Sequence, residues 1–201
     1  MESRTQKPEP ARRRFIGRAM GLVLATGVTL SAIPFVRSLL PSRSRQIAGA
    51  PIEVDLDTIS PGEQILITWR GKPIWILRRT SEMIQRLRKS DLEARLRDPL
   101  SQQDQQPPYA RNDLRSIHPD ILVVIATCTH LGCIPKFHPE TGQMGFDSEW
   151  PGGYFCPCHA SKFDLAGRVF KGVPAPLNLV IPPHRFTDHN TVIIGEGPVV
   201  E

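Results

Sequence analysis

The four cysteines of this 201-residue chain fall in two short segments, Cys128-Thr-His130-Leu-Gly-Cys133 and Cys156-Pro-Cys158-His159. Each segment offers one cysteine and one histidine at ligand spacing, Cys-x-His in the first and Cys-x-x-His in the second, with one cysteine left over in each. Two thiolates and two imidazoles can hold a [2Fe–2S] centre in which the cysteines bind one iron and the histidines the other. Cys133 and Cys158 can then pair with each other. Zinc accepts the same ligand types, but its usual spacing groups the cysteines together and the histidines together. Two disulfides with bystander histidines are the plainest alternative, and they give no reason for the matched placement of His130 and His159.

The stretches CTHLGCIP and CPCHASKFD resemble the Rieske iron–sulfur subunit of the quinol–cytochrome c oxidoreductases, the cytochrome bc complexes, in their bacterial form. An N-terminal anchor, a small-residue linker and Gly172-Val-Pro174-Ala-Pro176 resemble other parts of that family, so the likeness runs over nearly the whole chain. The resemblance implies one [2Fe–2S] cluster with Cys128, His130, Cys156 and His159 as metal ligands, and a Cys133–Cys158 disulfide across the two ligand loops. His159 is implied to meet the quinol, with His130 beside it, and these two are the candidate catalytic residues. Neutral imidazoles put less negative charge on the centre than thiolates do, which raises its potential. Reduction of the iron they bind should couple to protonation of a ligand histidine, the two titrating as a pair.

Around these ligands, Ser161 is expected to donate to a bridging sulfide. Leu131 and Ile134 are expected to cover the cofactor and offer an apolar docking face, and Pro174-Ala-Pro176 to pack over its third side. Two positions depart from the family pattern. Ala160 stands where glycine is usual. Phe163 stands where high-potential members carry tyrosine, whose hydroxyl bonds a cysteine sulfur, so a lower potential is expected. The implied function is an electron-transfer subunit. It takes one electron from quinol (ubiquinol) at cytochrome b, with a proton on a ligand histidine, and delivers it to a c-type cytochrome by movement of the head domain in a dimeric membrane complex. The rival readings are the Rieske subunit of an arsenite oxidase, another periplasmic Rieske carrier, and a soluble Rieske ferredoxin or oxygenase domain. Domains of the oxygenase type generally lack the extra cysteine pair and need no anchor.

The elements that must carry these loops follow from charge and pattern. Residues 1–50 hold nine Lys/Arg against two Asp/Glu, a net +7, so the remaining residues carry sixteen against eighteen, a net −2, within the total of +5. The basic character therefore belongs to the tail, and the folded part offers no basic patch for nucleic acid. Arg12-Arg13-Arg14-Phe15-Ile16 resembles a twin-arginine export signal. That route carries folded cargo. It would let a cofactor be inserted among reduced thiols and a disulfide persist outside. Ala19 to Val36 is uncharged and long enough to begin a membrane-spanning helix. Six Lys/Arg precede it and three follow within the first 50 residues, which puts the N-terminus in the cytoplasm and the domain in the periplasm, anchored in the bacterial inner membrane by one pass. Ala48-Gly49-Ala50 has the form of a cleavage site, but it lies behind Arg37, Arg43 and Arg45, too far from the apolar run, so a retained anchor is expected.

The domain boundaries expected are 1–18 cytoplasmic, 19–40 anchor, 41–50 flexible hinge and 51–201 folded domain, with the cluster subdomain over about 126–177. The fold class expected is all-β, a small antiparallel sandwich with an inserted helix, plus the one transmembrane helix. Strands are expected at Ile52–Leu56, at Gln64–Trp69 and Ile74–Leu77 around a turn at Gly71-Lys72-Pro73, at Ile121–Ile125 leading into Cys128, and in short runs at Val169-Phe170, Leu177–Ile181 and Thr191–Ile194. Thr80 to Arg97 reads as helix with Thr80 or Ser81 as its N-cap. Residues 101–109 read as a solvated polar loop, and residues 134–155 as a cover for one side of the cluster. His118, His138, His184 and His189 read as surface histidines.

Overall fold

The computed structural model describes residues 10–39 and 49–198. The chain divides into two bodies with the boundary after Gln46. The first contains helix α1 (Pro10–Leu39), which starts nine residues before the uncharged run and so includes Arg12–Arg14 and Arg18. Its apolar side chains are exposed all round, as suits a helix in lipid rather than in a protein core. The hydroxyls of Thr26 and Thr29 donate to the carbonyls of Leu22 at 2.9 Å and Ala25 at 2.8 Å, so both polar groups are satisfied within the helix. At 1.5 Å per residue the helix is about 45 Å long, more than the hydrocarbon layer requires. The proposed hinge at 41–50 lies, but for Gly49 and Ala50, outside the described residues, as does Ala48 of the cleavage-like triplet.

The second body is built from antiparallel sheets. Strands β1 (Ile52–Asp55), β11 (Thr191–Ile194) and β10 (His184–Phe186) form one; β2 (Gln64–Trp69), β3 (Lys72–Arg78) and β4 (Ile121–Ile125) form the second. The third joins β5 (Lys136–His138), β8 (Gly153–Cys156) and β9 (Ser161–Asp164), beside a hairpin of β6 (Gly142–Met144) and β7 (Asp147–Trp150). The β2-β3-β4 sheet is shared between two cores. Ile74, Ile76, Ile121, Val123 and Ile125 face the core closed by β1 and β11, which also holds Trp69, Val192 and Ile194. Trp75, Leu77, Leu122 and Val124 face the core that contains the helices and the third sheet. A sheet covered on both sides needs continuous apolar strands, which is why Ile121–Ile125 lacks polar alternation.

Three expected boundaries shift for identifiable reasons. The hairpin turn is the two-residue Arg70-Gly71, both at positive φ (51° and 72°), so β3 starts at Lys72 and includes Pro73. The 80–97 helix is two helices, α2 (Ser81–Leu87) and α3 (Ser90–Arg95), with Thr80 accepting from the Met83 N–H as the N-cap. Met83 and Leu87 share one helical stripe, but the next positions on it are Ser90 and Asp91. The break re-phases the chain so that Leu92 and Leu96 are buried instead. Leu177–Ile181 is not a strand. Its Leu179 N–H bonds Gly167, its Ile181 N–H bonds Gln105, and its Val180 carbonyl takes the Ile125 N–H, so no single partner strand exists. Val169 and Phe170 make only single antiparallel bridges, to Phe163 and Leu96.

Other readings are corrected by burial. Residues 134–155, expected to cover one side of the cluster, hold strands β5, β6 and β7 and the start of β8. Ser101 and Gln106 are buried rather than solvated. The Gln106 amide donates to the carbonyls of Ser101 and Gln103, both at 2.8 Å, and its oxygen accepts from Arg115 at 3.0 Å. His184 is buried against Tyr109 and Phe186, with Nδ1 2.9 Å from the Pro182 carbonyl. Burial depresses its pKa to about 4, a neutral core histidine rather than a surface one.

Gly153 opens β8 at φ 152°, and a Cβ there would run into the Phe163 carbonyl oxygen and the Asp164 backbone across the β8–β9 pair. Gly153→Ala is expected to destabilise the domain by about 2 kcal/mol or more and to lower Tm by roughly 4–8 °C. An unchanged melting curve would show that the sheet can part at this point without loss.

Candidate metal centre

The first ligand loop grows out of β4, a strand buried at every position. β4 runs through Ala126, fully buried, into Cys128. The loop then closes on itself: the Cys128 N–H donates to the Cys133 carbonyl at 2.8 Å and the Gly132 N–H to the Cys128 carbonyl at 3.0 Å. Gly132 sits at φ 85°, where a side chain would be strained. The second loop is the four-residue connection Pro157-Cys158-His159-Ala160 between β8 and β9. Cys156 and Ser161 are directly opposite each other at its mouth. Ala160 is at φ 60°, the left-handed region, which accounts for glycine being usual there.

The two loops meet. Cys133 and Cys158 form a disulfide. The sulfurs of Cys133, Cys156 and Cys158 all lie within 4.8 Å of one another. Two of the three are already joined to each other, so this grouping is not a ligand set; it places the disulfide beside the free thiol of Cys156. Cys128 and Cys156 are free and buried. Burial pushes the Cys128 thiol up, the His130 backbone N–H works against that, the adjacent Cys156 adds to the rise, and the Ser161 hydroxyl works against it. A metal that binds there as to a thiolate releases that proton. The imidazoles of His130 and His159 stand 4.7 Å apart, centroid to centroid, and nearly perpendicular. Two neighbouring thiols and two neighbouring imidazoles, one of each per loop, fit a [2Fe–2S] centre with mixed ligation.

The surroundings divide into a sealed side and an open side. Ser161 is fully buried, and its oxygen accepts from the Ala175 N–H at 3.0 Å, which leaves its own proton to donate. Phe163 is fully buried opposite Tyr154, and it presents no hydroxyl. Tyr154 in turn stacks on Trp75, with centroids 4.7 Å apart. On the other side His159 is exposed, His130 is half-buried, and Leu131 and Ile134 are 70% and 51% exposed. Leu131 therefore presents its side chain outward at the tip rather than packing into the domain.

One contact had no signal in the sequence. Thr129, between two candidate ligands, donates to the Leu177 carbonyl at 2.6 Å. Together with the Ala175–Ser161 bond it ties the Pro174-Ala-Pro176 segment to both ligand loops. A threonine at that position fits many roles, and only the return of residues 175–177 to the same place reveals which one applies.

Residues 103–183 match the family model described as the Rieske [2Fe-2S] domain. The chain is 48% identical to the "Ubiquinol-cytochrome c reductase iron-sulfur subunit" of Allochromatium vinosum, over 92% of this chain and 88% of that one. It is 41% identical to the protein of the same name from Blastochloris viridis, over 94% of this chain and 95% of that one. A third, from Bradyrhizobium diazoefficiens, is also 41% identical, over 97% of this chain and 100% of that one. With such relatives along nearly its whole length, the chain belongs to the family of Rieske iron–sulfur subunits of ubiquinol–cytochrome c reductase, whose bacterial members it resembles throughout.

Proposed function

We propose that this chain takes one electron from ubiquinol bound beside cytochrome b and passes it to a c-type cytochrome, as one subunit of a dimeric membrane complex. The [2Fe–2S] cluster, when bound, supplies the one-electron carrier. Cys128 and Cys156 hold it as thiolates, and His130 and His159 hold it as imidazoles. The observation that carries the reading is the asymmetry of the site. The thiols and Ser161 are buried, whereas His159 and Leu131 are exposed. Once its metal-free nitrogen has lost its proton, an exposed His159 imidazolate can accept a hydrogen bond there and then the proton of a quinol hydroxyl, becoming neutral imidazole, while the buried side keeps water out. Leu131 and Ile134 give the quinol pocket an apolar surface to meet. Ser161 donates toward the sulfide side and favours the more negative, reduced centre.

Helix α1 is long and apolar enough to cross a membrane, and the excess of Lys/Arg before the apolar run supports a cytoplasmic N-terminus and a periplasmic domain at the bacterial inner membrane. Arg12–Phe15 supports export by the twin-arginine route. Subunits carrying b- and c-type haem should accompany the protein when it is purified from membranes. The ascorbate-reduced preparation should give an EPR signal with average g below that of four-cysteine clusters. His159→Ser should abolish both that signal and quinol–cytochrome c turnover. A protein that purifies alone, or with zinc in place of iron, does not have this function.

Ser161→Ala should lower the midpoint potential and Phe163→Tyr should raise it. A hydrogen bond that favours one redox state by about 1 kcal/mol moves a one-electron potential by roughly 40 mV. Redox titration of both variants checks this, and equal potentials would mean that neither side chain addresses the centre.

The head must reach two partners in turn, and residues 41–50 are the proposed hinge. Replacing Ile47-Ala48-Gly49 by three prolines fixes φ at each and restricts the residue before. The potential and EPR spectrum should stay as in the wild type while steady-state turnover falls about tenfold, the equivalent of 1.4 kcal/mol on the limiting step. Full turnover in an assembled complex would reduce the segment to a spacer.

A further inference from the structure

Residues 168–178 leave the third sheet after β9 and touch both ligand loops before returning to the core. Their contacts there are the Ala175 N–H to Ser161 Oγ at 3.0 Å and the Leu177 carbonyl to Thr129 Oγ1 at 2.6 Å. Lys171, Gly172, Pro174 and Pro176 are exposed. The segment's body is also tied elsewhere: the Arg97 N–H donates to the Val169 carbonyl at 2.9 Å, the Lys171 N–H to the Arg95 carbonyl at 2.8 Å, and the Val169 N–H to Asn178 Oδ1 at 2.8 Å, so what remains to be set is where its two ends stand.

One side chain reaches both ends. The Nη1 of Arg115 donates to the carbonyls of Ala166 and Gly167, each at 3.2 Å, where the segment departs. Its Nη2 donates to the Leu179 carbonyl at 2.6 Å, where the segment returns, and to Gln106 Oε1 at 3.0 Å. Arg115 is fully buried, and its own backbone is at φ 52°, the left-handed region that residues with a Cβ adopt only under strain. Strain of that kind persists where the surroundings over-determine it. Arg78 lies away from the segment, its guanidinium donating to the carbonyls of Leu56 at 3.2 Å and Ile59 at 3.1 Å in the other core.

We propose that Arg115 is a positioning residue for the metal centre: by fastening both ends of 168–178 it sets where Ala175 and Leu177 stand against Ser161 and Thr129. The proposal rests on the reading of 128–133 and 156–161 as the ligand loops. It is tested by hydrogen–deuterium exchange on the full, cluster-loaded protein in detergent, with EPR of the same samples. Arg115→Gln should speed exchange in peptides spanning 168–179 by about tenfold or more, because local opening there becomes easier, while β1 and β11 keep their wild-type rates. Its reduced-state EPR spectrum should change in g values or line width. Gln106→Leu removes one acceptor that orients the guanidinium and should act in the same direction more weakly; it carries the test if Arg115→Gln does not fold. Arg78→Gln serves as the control and should leave both the 168–179 rates and the spectrum unchanged. Unaltered exchange at 168–179 overturns the proposal, as does faster exchange with an unaltered spectrum, or an equal effect from Arg78→Gln. A wild-type protein without a Rieske spectrum would refute the proposed function instead, and the exchange comparison would be unaffected.

Discussion

A one-residue slip of β4 against β3 would exchange every side chain between the two cores of the domain. Ile121, Val123 and Ile125 would face the helices and the third sheet, and Leu122 and Val124 would face β1 and β11. Both cores are closed, so the slip would create overlaps on one side and voids on the other. This register constraint fixes Cys128, which follows β4 by three residues, at one depth and one orientation. The opposite pair, Cys156 and Ser161, is fixed by β8 and β9 in a separate sheet. The site exists because two independently registered sheets end at the same point, and the Cys133–Cys158 disulfide joins the loops across that meeting.

The base of the third sheet carries an unusual electrostatic load. Asp164 and Arg168 are both fully buried, 2.7 Å apart, and the same carboxylate also accepts the N–H groups of Ala166 at 2.9 Å and Arg168 at 2.8 Å. Arg168 goes on to donate to the carbonyls of Pro99 and Leu87. A buried pair of this kind adds little by its mere presence, but losing either partner strands the other, at about 3–5 kcal/mol. The turn from β9 into the 168–178 segment is therefore held in one conformation. The helices are tied to it through the Leu87 carbonyl.

Much of this could be read from residue types alone, and the reasons are local. The ligand boxes, the spare cysteine pair and the anchor are contiguous patterns with few other uses. Ile121–Ile125 announces a strand buried on both faces, and Thr80 caps its helix as its hydroxyl allows. The misreadings share a cause. Leu177–Ile181 looks like a strand because its residues are apolar, yet its backbone partners come from three unrelated places. Gln106 and His184 look like surface residues, and each is buried because distant groups (Arg115, Tyr109, Phe186) supply what its polar atoms or ring face require. The 80–97 helix breaks because its apolar stripe falls out of phase after Leu87, a mismatch visible in the residues but decided by which neighbours are available. The depth of Ser161 and the exposure of His159 and Leu131 depend on how the loops meet, which no single stretch encodes.

The division into two cores also sorts the aromatic residues. Trp69 belongs to the core under β1 and β11, whereas Trp75 and Trp150 belong to the core that contains Cys128 and Cys156. The domain thus carries indoles in two separate surroundings. Emission from Trp75 and Trp150 reports on the state of the ligand-loop side, and emission from Trp69 reports on the supporting sandwich. Substitution of one indole at a time would let the two halves be watched separately as the protein unfolds.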